Sequence, residues 1–260
     1  MMNSNDYWQD RLEEIRDQNF KERKLKKMYH DSFKRMKKEI EALYYRMDAG
    51  QHITRSELYK FSHFLSMKKA VKEECDLNTV RLKVHMEEAL KRAYKNTFKT
   101  TQHFFHNKTP WALVNDKRLE SILSTNWSGK HFSSRIWKNQ RQLSKDIEET
   151  IIDCIVTGKS KAEAIHRIQL RNFVSYNKAE NLVRTEMSHV VNKACLDTYK
   201  QNGCNEVKVL SERKKRTCDF CKSKHGVTVP IKGAKTGVDI PPFHPRCYCD
   251  IAPIVKIERN

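Results

Sequence analysis

Residues 175–210, SYNKAENLVRTEMSHVVNKACLDTYKQNGCNEVKVL, carry the change of period that divides this chain. Through Asn202, apolar residues at Ala179, Leu182, Val183, Val190, Val191, Ala194 and Tyr199 recur at helical spacing, which predicts one long helix. Gly203 supplies the left-handed residue that ends it. Beyond that glycine, Val207 and Val209 alternate with Glu206 and Lys208, and Val227-Thr228-Val229 repeats the period of two. The end of the chain therefore reads as a small hairpin-rich unit.

Working back from this point, the pattern stays helical. Leu143, Ile147, Ile151 and Ile155 share one face of a helix that stops at Gly158, and Ser160 caps a short following helix with Ala164, Ile165 and Ile168. Asn107-Lys108-Thr109-Pro110 breaks the pattern and predicts a hinge, because Pro110 cannot continue a helix. Ahead of it the spacing predicts helices over 78–105 (Leu82, Met86, Leu90, Ala93) and 56–75 (Leu58, Phe61, Leu65). Tyr29, Phe33, Met36, Ile40, Leu43 and Met47 follow one another at 4, 3, 4, 3, 4, a possible coiled-coil seam closed by Asp48-Ala49-Gly50 and preceded by Trp8, Leu12 and Ile15. The expected fold is mostly α: an extended N-terminal helical arm (1–106), a helical middle domain (107–204) and a small C-terminal α+β zinc-binding module (205–260).

Composition supports helices rich in solvent contact. Of 260 residues, 38% are hydrophobic and 32% charged, with only 7 Gly and 6 Pro. Lys and Arg number 51 against 32 Asp and Glu, a formal charge of +19 spread evenly along the chain. Such an excess favours a polyanion, so nucleic acid is the default partner class, with an acidic protein surface as the alternative. The Lys-rich face of residues 21–38 fits either a DNA contact or a plain solvated face, the second being the simpler reading. No run approaches the roughly 18 apolar residues of a membrane span, and the first 30 residues lack a secretory core, so a soluble protein made in a reducing compartment is expected. There, eight cysteines point to thiols or metal ligands rather than disulfides. Cys75, Cys154, Cys195 and Cys204 are scattered and read as packing residues.

The other four cysteines are clustered. In Cys218-Asp219-Phe220-Cys221 the two-residue gap turns both sulfurs toward one point, and His244 and Cys247 repeat that gap after 22 intervening residues. Cys218, Cys221, His244 and Cys247 thus form a candidate tetrahedral zinc site. Cys249 is an alternate ligand, which strict alternation along an extended chain would turn away. A set of four protein ligands leaves no position for a reactive water, so the zinc is expected to be structural. The order also reverses that of zinc deaminases, where a His-x-Glu element comes first. Residues 205–260 hold few large apolar groups, so a metal would be their staple. On the long helix, Arg184, Thr185 and Glu186, followed by Asn192, read as polar braces holding this module. The alternative for Glu186 is catalysis, but no nucleophile or base is placed near it.

Residues 126–254 resemble the Mu F-like head morphogenesis family, the minor head proteins of tailed bacteriophages. The resemblance rests on Trp127-Ser128-Gly129 with Trp137, Arg184-Thr185-Glu186 with Asn192, Ala194 and Tyr199, and Gly203. It continues through Arg216-Thr217-Cys218 with Cys221 and Gly226, then Pro241-Pro242, His244-Pro245, Cys247 and Cys249. It implies a structural virion component, not an enzyme, located in the capsid interior at the portal vertex and in the host cytoplasm during assembly. Implied partners are the portal protein, double-stranded DNA and other copies or capsid and scaffold proteins. Lys214 and Lys215 stand where the family usually has an acidic residue, and Tyr248 replaces the usual Arg between the last two cysteines. The first departure favours DNA, and the second leaves the metal set intact.

The expected function is a minor capsid protein that binds DNA without sequence preference and aids assembly and genome delivery. Arg213, Lys214, Lys215 and Arg216 are the candidate DNA contacts, and the Tyr29 to Met47 seam is the candidate contact with the portal or a second copy. Two rivals stand beside it. A zinc-finger regulator would need a recognition helix, for which residues 226–245 are poor material. A zinc nuclease or transferase would depend on Glu186.

Overall fold

The computed structural model describes residues 22–47, 53–105, 116–211 and 217–254. The hinge at 107–110, the stop at 48–50, the arm residues Trp8, Leu12 and Ile15, and the cations Arg213, Lys214, Lys215 and Arg216 lie outside them. The described helices are α1 (Glu22–Tyr45), α2 (Arg55–Lys60), α3 (Ser62–Phe104), α4 (Asp116–Ser124), α5 (Phe132–Val156), α6 (Lys161–Gln201) and α7 (Asp219–Lys224). The strands are β1 (Glu206–Leu210), β2 (Thr228–Pro230) and β3 (Asp250–Pro253). The expectation of a mostly helical chain therefore holds. No described helix is long and apolar enough to cross a membrane.

Two expected helix boundaries are absent. The helices expected over 56–75 and 78–105 are one helix, α3, because Asp76 and Leu77 offer neither Gly nor Pro to interrupt the hydrogen-bond ladder. The break falls earlier, at Phe61, whose extended backbone (φ −81°, ψ 112°) ends α2. The short helix after Ser160 likewise continues into the long one, giving the 41-residue α6. Ser160 does cap it, its Oγ accepting the Glu163 N–H at 3.2 Å. Gly203 (φ 78°) ends it: the Cys204 N–H reaches back to the Tyr199 carbonyl at 3.0 Å, which needs a left-handed residue between them.

The chain forms two compact units, each built from separated stretches, and α3 and α6 contribute residues to both. The first takes Glu22–His85 and Phe132–Glu180. Its α1 and α3 run antiparallel, as the pairs Arg46 with His63 (2.7 Å) and Arg35 with Glu74 (2.7 Å) show. Met36, Ile40 and Leu43 of α1 pack with Phe64, Met67 and Val71 of α3, Ile147 and Ile151 of α5, and Ile168 of α6. This corrects the expectation that the seam meets the portal or a second copy. Its buried side chains face helices of the same chain, because burying that stripe beside its sequence neighbours closes an apolar core locally. The exposed positions of α1 include Lys24, Lys26, Lys27, Lys34 and Lys38.

A polar layer crosses the same unit. The Tyr29 hydroxyl accepts from Gln140 Nε2 at 2.7 Å, lies 3.4 Å from Ser175 Oγ, and is pushed above the ordinary tyrosine range by burial. Asn172 Nδ2 donates to the Tyr29 carbonyl at 3.3 Å. Asn78 is fully buried with neither amide atom hydrogen-bonded, a destabilising arrangement.

The second unit takes the described parts of Met86–His131 and Asn181–Asn260. Its sheet has the order β2-β1-β3 and is antiparallel throughout, with Val207 opposite Val229 and Pro253, and Val209 opposite Ile251. Val207, Val209, Leu210 and Ile251 are fully buried. On α6, Asp197 accepts from Tyr94 Oη of α3 and from Arg118 of α4, both at 2.8 Å, which ties three helices at one carboxylate.

Candidate metal centre

The residues of the second unit converge at its cysteines. Cys218 caps the N-terminus of α7, and its sulfur accepts the Cys221 N–H at 3.4 Å. That amide is the first cause of the depressed Cys218 thiol pKa, and nearby His244 adds to it. His244 arrives from the second ligand segment. Its Nδ1 lies 2.8 Å from the Pro245 carbonyl, which can only accept, so Nδ1 carries the proton. Nε2 then faces Cys221 Sγ at 3.1 Å and Cys218 Sγ at 3.3 Å, the nitrogen that would carry the lone pair to a bound ion. Ligating histidines are oriented in this way.

Cys221 Sγ is 3.8 Å from Cys247 Sγ. Two overlapping triads result, Cys218 with Cys221 and His244, and Cys221 with Cys247 and Cys249, each with its donor atoms within 4.8 Å. Cys249 therefore faces the cluster, against the expectation that alternation would turn it away. That rule needs regular extended backbone, whereas residues 244–249 are turn and irregular chain, with Arg246 at φ 58°.

The donor set fits a soft divalent ion. A tetrahedron with metal–sulfur bonds of about 2.3 Å has sulfur–sulfur edges of about 3.8 Å, matching the Cys221 to Cys247 separation. Without a cation the thiols cannot all ionise. Cys247 is held down at about 5, first by the S–H of Cys249 and then by backbone amides. Cys249, which keeps that proton, is driven up, and burial pushes Cys221 up to about 12. A divalent ion would displace those protons and neutralise the set. Cys218, Cys221, His244, Cys247 and Cys249 offer five donors for four positions, so the choice between His244 and Cys249 stays open. An ion here would supply a clamp between residues 218–221 and 244–249. A cleft of about 280 Å³ opens beside it, lined by Thr217, Cys218, Cys221, His244, Pro245, Arg246, Tyr248 and Cys249.

Helix α6 holds the second ligand segment. Thr185 Oγ1 accepts the Arg246 N–H at 3.2 Å, Asn192 Nδ2 donates to the Cys249 carbonyl at 3.2 Å, and Tyr199 Oη donates to the Ile251 carbonyl at 3.1 Å. These three residues are seven apart, so they lie along one stripe of the helix. Sequence reasoning singled out Thr185 and Asn192 as braces but did not see the stripe, whose signal was a polar-capable residue at every seventh position. Beside it, Trp127 Nε1 donates to Glu186 Oε2 at 2.8 Å, and its indole stacks on His189 (4.6 Å, 15°). Burial, and then Lys193, lowers His189 to about 3, so this ring is neutral. His189 was not anticipated. Arg184 is half-buried on α6, and Trp137 is exposed on α5.

Residues 145–252 match the family described as Phage Mu protein F like protein. The chain is also similar to the NAD(+)–arginine ADP-ribosyltransferase EFV of Enterococcus faecalis, at 22% identity over 185 residues. That alignment covers 69% of this chain and 37% of the relative, so the chain spans little more than a third of that protein's length. No solved structure matches the chain. The matched region takes in the second half of α5, all of α6, the sheet up to Ala252 and every residue of the cysteine cluster, and over residues 145–252 this chain is similar to the Phage Mu protein F like proteins.

Proposed function

We propose that this chain is a minor head protein of a tailed phage that sits at the portal vertex, inside the capsid, and binds packaged double-stranded DNA without sequence preference. The observation that carries the reading is the Mu F-like region, joined to a chain of formal charge +19. Its partners are the portal protein and DNA, with other copies or capsid and scaffold proteins as further contacts, and its work is assembly and genome delivery. A zinc ion held by Cys218, Cys221, Cys247 and either His244 or Cys249 is a structural brace that fixes the module on α6 through the Thr185, Asn192 and Tyr199 stripe. Glu186 and Trp127 brace the same helix.

Arg213, Lys214, Lys215 and Arg216 stand immediately before the Cys218 knuckle and are the proposed phosphate contacts. Replacing all four with Ala should weaken binding to every sequence alike. It should also flatten the slope of log affinity against log salt by about 3 to 4. Co-purification of the protein with the portal ring from intact particles tests its location; absence from particles would sink the reading.

The ADP-ribosyltransferase relative gives an enzyme reading a specific foothold. Against it, Glu186 is 5% exposed, with its carboxylate bonded to an indole N–H, which suits a brace better than a group meeting substrate. Arginine ADP-ribosylation by the purified chain, lost on Glu186→Gln, would reverse this choice.

A further inference from the structure

We propose that Phe220, with Phe243 and Lys224, is a stacking platform for an unpaired base of single-stranded DNA. This rests on the DNA-binding part of the function proposed above and narrows it. Phe220 lies between two cysteines of the knuckle, so its backbone is fixed from both sides, yet its side chain is 53% exposed. The ring meets Phe243 in a T-shaped pair, with centroids 5.6 Å apart and planes at 76°. Phe243 in turn packs on Cys221, Cys247 and Cys249, so it is the wall and Phe220 the presented ring.

A lone exposed apolar residue needs no explanation, but this one has a charged companion. Lys224 Nζ sits 5.5 Å from the Phe220 centroid and 5.7 Å from that of Phe243. An ammonium group over a rigid, half-exposed aromatic ring offers a phosphate contact and a base contact within one nucleotide's reach. In duplex DNA the base faces are covered by their neighbours, so only the charges of such a site could act. An exposed ring face gains a partner only where a base is unpaired.

The test uses the full chain loaded with zinc. Its affinity for a labelled oligothymidylate of about 15 nucleotides is compared with that for a duplex of equal length at one salt concentration. Phe220→Ala should lower single-strand affinity about tenfold or more and leave duplex affinity unchanged. Phe220→Trp should keep single-strand affinity, with its added fluorescence quenched on binding. Should the Ala variant lose its metal, Phe220→Leu keeps the apolar contact with Phe243, lacks a ring, and carries the same expectation. Equal losses on both DNAs, or no loss on either, overturns the proposal, as does wild-type binding to duplex alone. Binding to neither DNA removes the DNA function as well. Loss of a protein partner in Phe220→Ala with single-strand affinity intact would make this a protein-docking surface instead.

Discussion

The two compact units solve the same problem with different materials. In the unit of Glu22–His85 and Phe132–Glu180, helices α1, α2, α3, α5 and α6 close over a core of Met, Ile, Leu, Val and Phe side chains buried to within a few per cent. In the cysteine module the buried cluster is Cys221, Cys247 and Cys249 with Phe243 against it. Burying aliphatic area stabilises the first in proportion to the area removed from water. The cysteine cluster itself has little such area and several thiols that resist ionising together, so a bound cation would add to its cohesion. Two segments of one chain can thus be equally well folded and fail under quite different insults.

The largest contrast should come from the metal. Replacing Cys221 and Cys247 together with Ser, or stripping zinc with a chelator, should remove on the order of 10 kcal/mol from the module. Amide exchange would show residues 217–254 losing protection while α1 and α5 keep theirs. Protection unchanged throughout would mean that packing alone suffices. The converse break lies at Phe64, which is fully buried in the aliphatic core. Phe64→Ala should cost about 3 to 5 kcal/mol by denaturant titration while metal content stays constant.

Acid sharpens the contrast in the cysteine-containing unit. His189 is neutral in the fold, lowered to about 3 chiefly by burial, against an ordinary value of about 6.5. The unfolded chain takes up the proton first, so this stabilising difference is complete above about pH 6.5 and is lost as the pH falls toward 3. The slope is about 1.4 kcal/mol per pH unit. His189→Phe, which preserves stacking on Trp127, should flatten it; an identical acid profile would show that His189 does not contribute. The smallest effect is a gain. Asn78→Leu replaces a buried, unbonded amide with an apolar group of similar size, and should stabilise the helical unit by about 1 kcal/mol, read as a raised Tm.

Helices were legible in this sequence because their apolar residues repeat with a helical period, and Gly158 and Gly203 ended them where a left-handed residue was required. The joins at Asp76-Leu77 and after Ile168 were misjudged, since a run of mixed polar residues looks like an interruption when only the ladder of backbone bonds decides continuity. The clustering of Cys218, Cys221, His244 and Cys247 was legible because two gaps of two residues, Cys218 to Cys221 and His244 to Cys247, each fix local geometry. Cys249 was not, because its direction depends on an irregular turn that no periodicity describes.

The sequence by itself determined which segments are helical, where the period changes from helix to strand, the charge that favours a polyanion, and the clustering of metal-type donors. All of these are local or additive properties, set by neighbours a few residues away. Only the tertiary structure decided that the α1 seam is covered by its own chain, that Thr185, Asn192 and Tyr199 meet Arg246, Cys249 and Ile251, and that five donors crowd where four are needed. Those outcomes depend on which distant surfaces exclude water together, and such pairings are not carried by the spacing of residues along a single strand of chain.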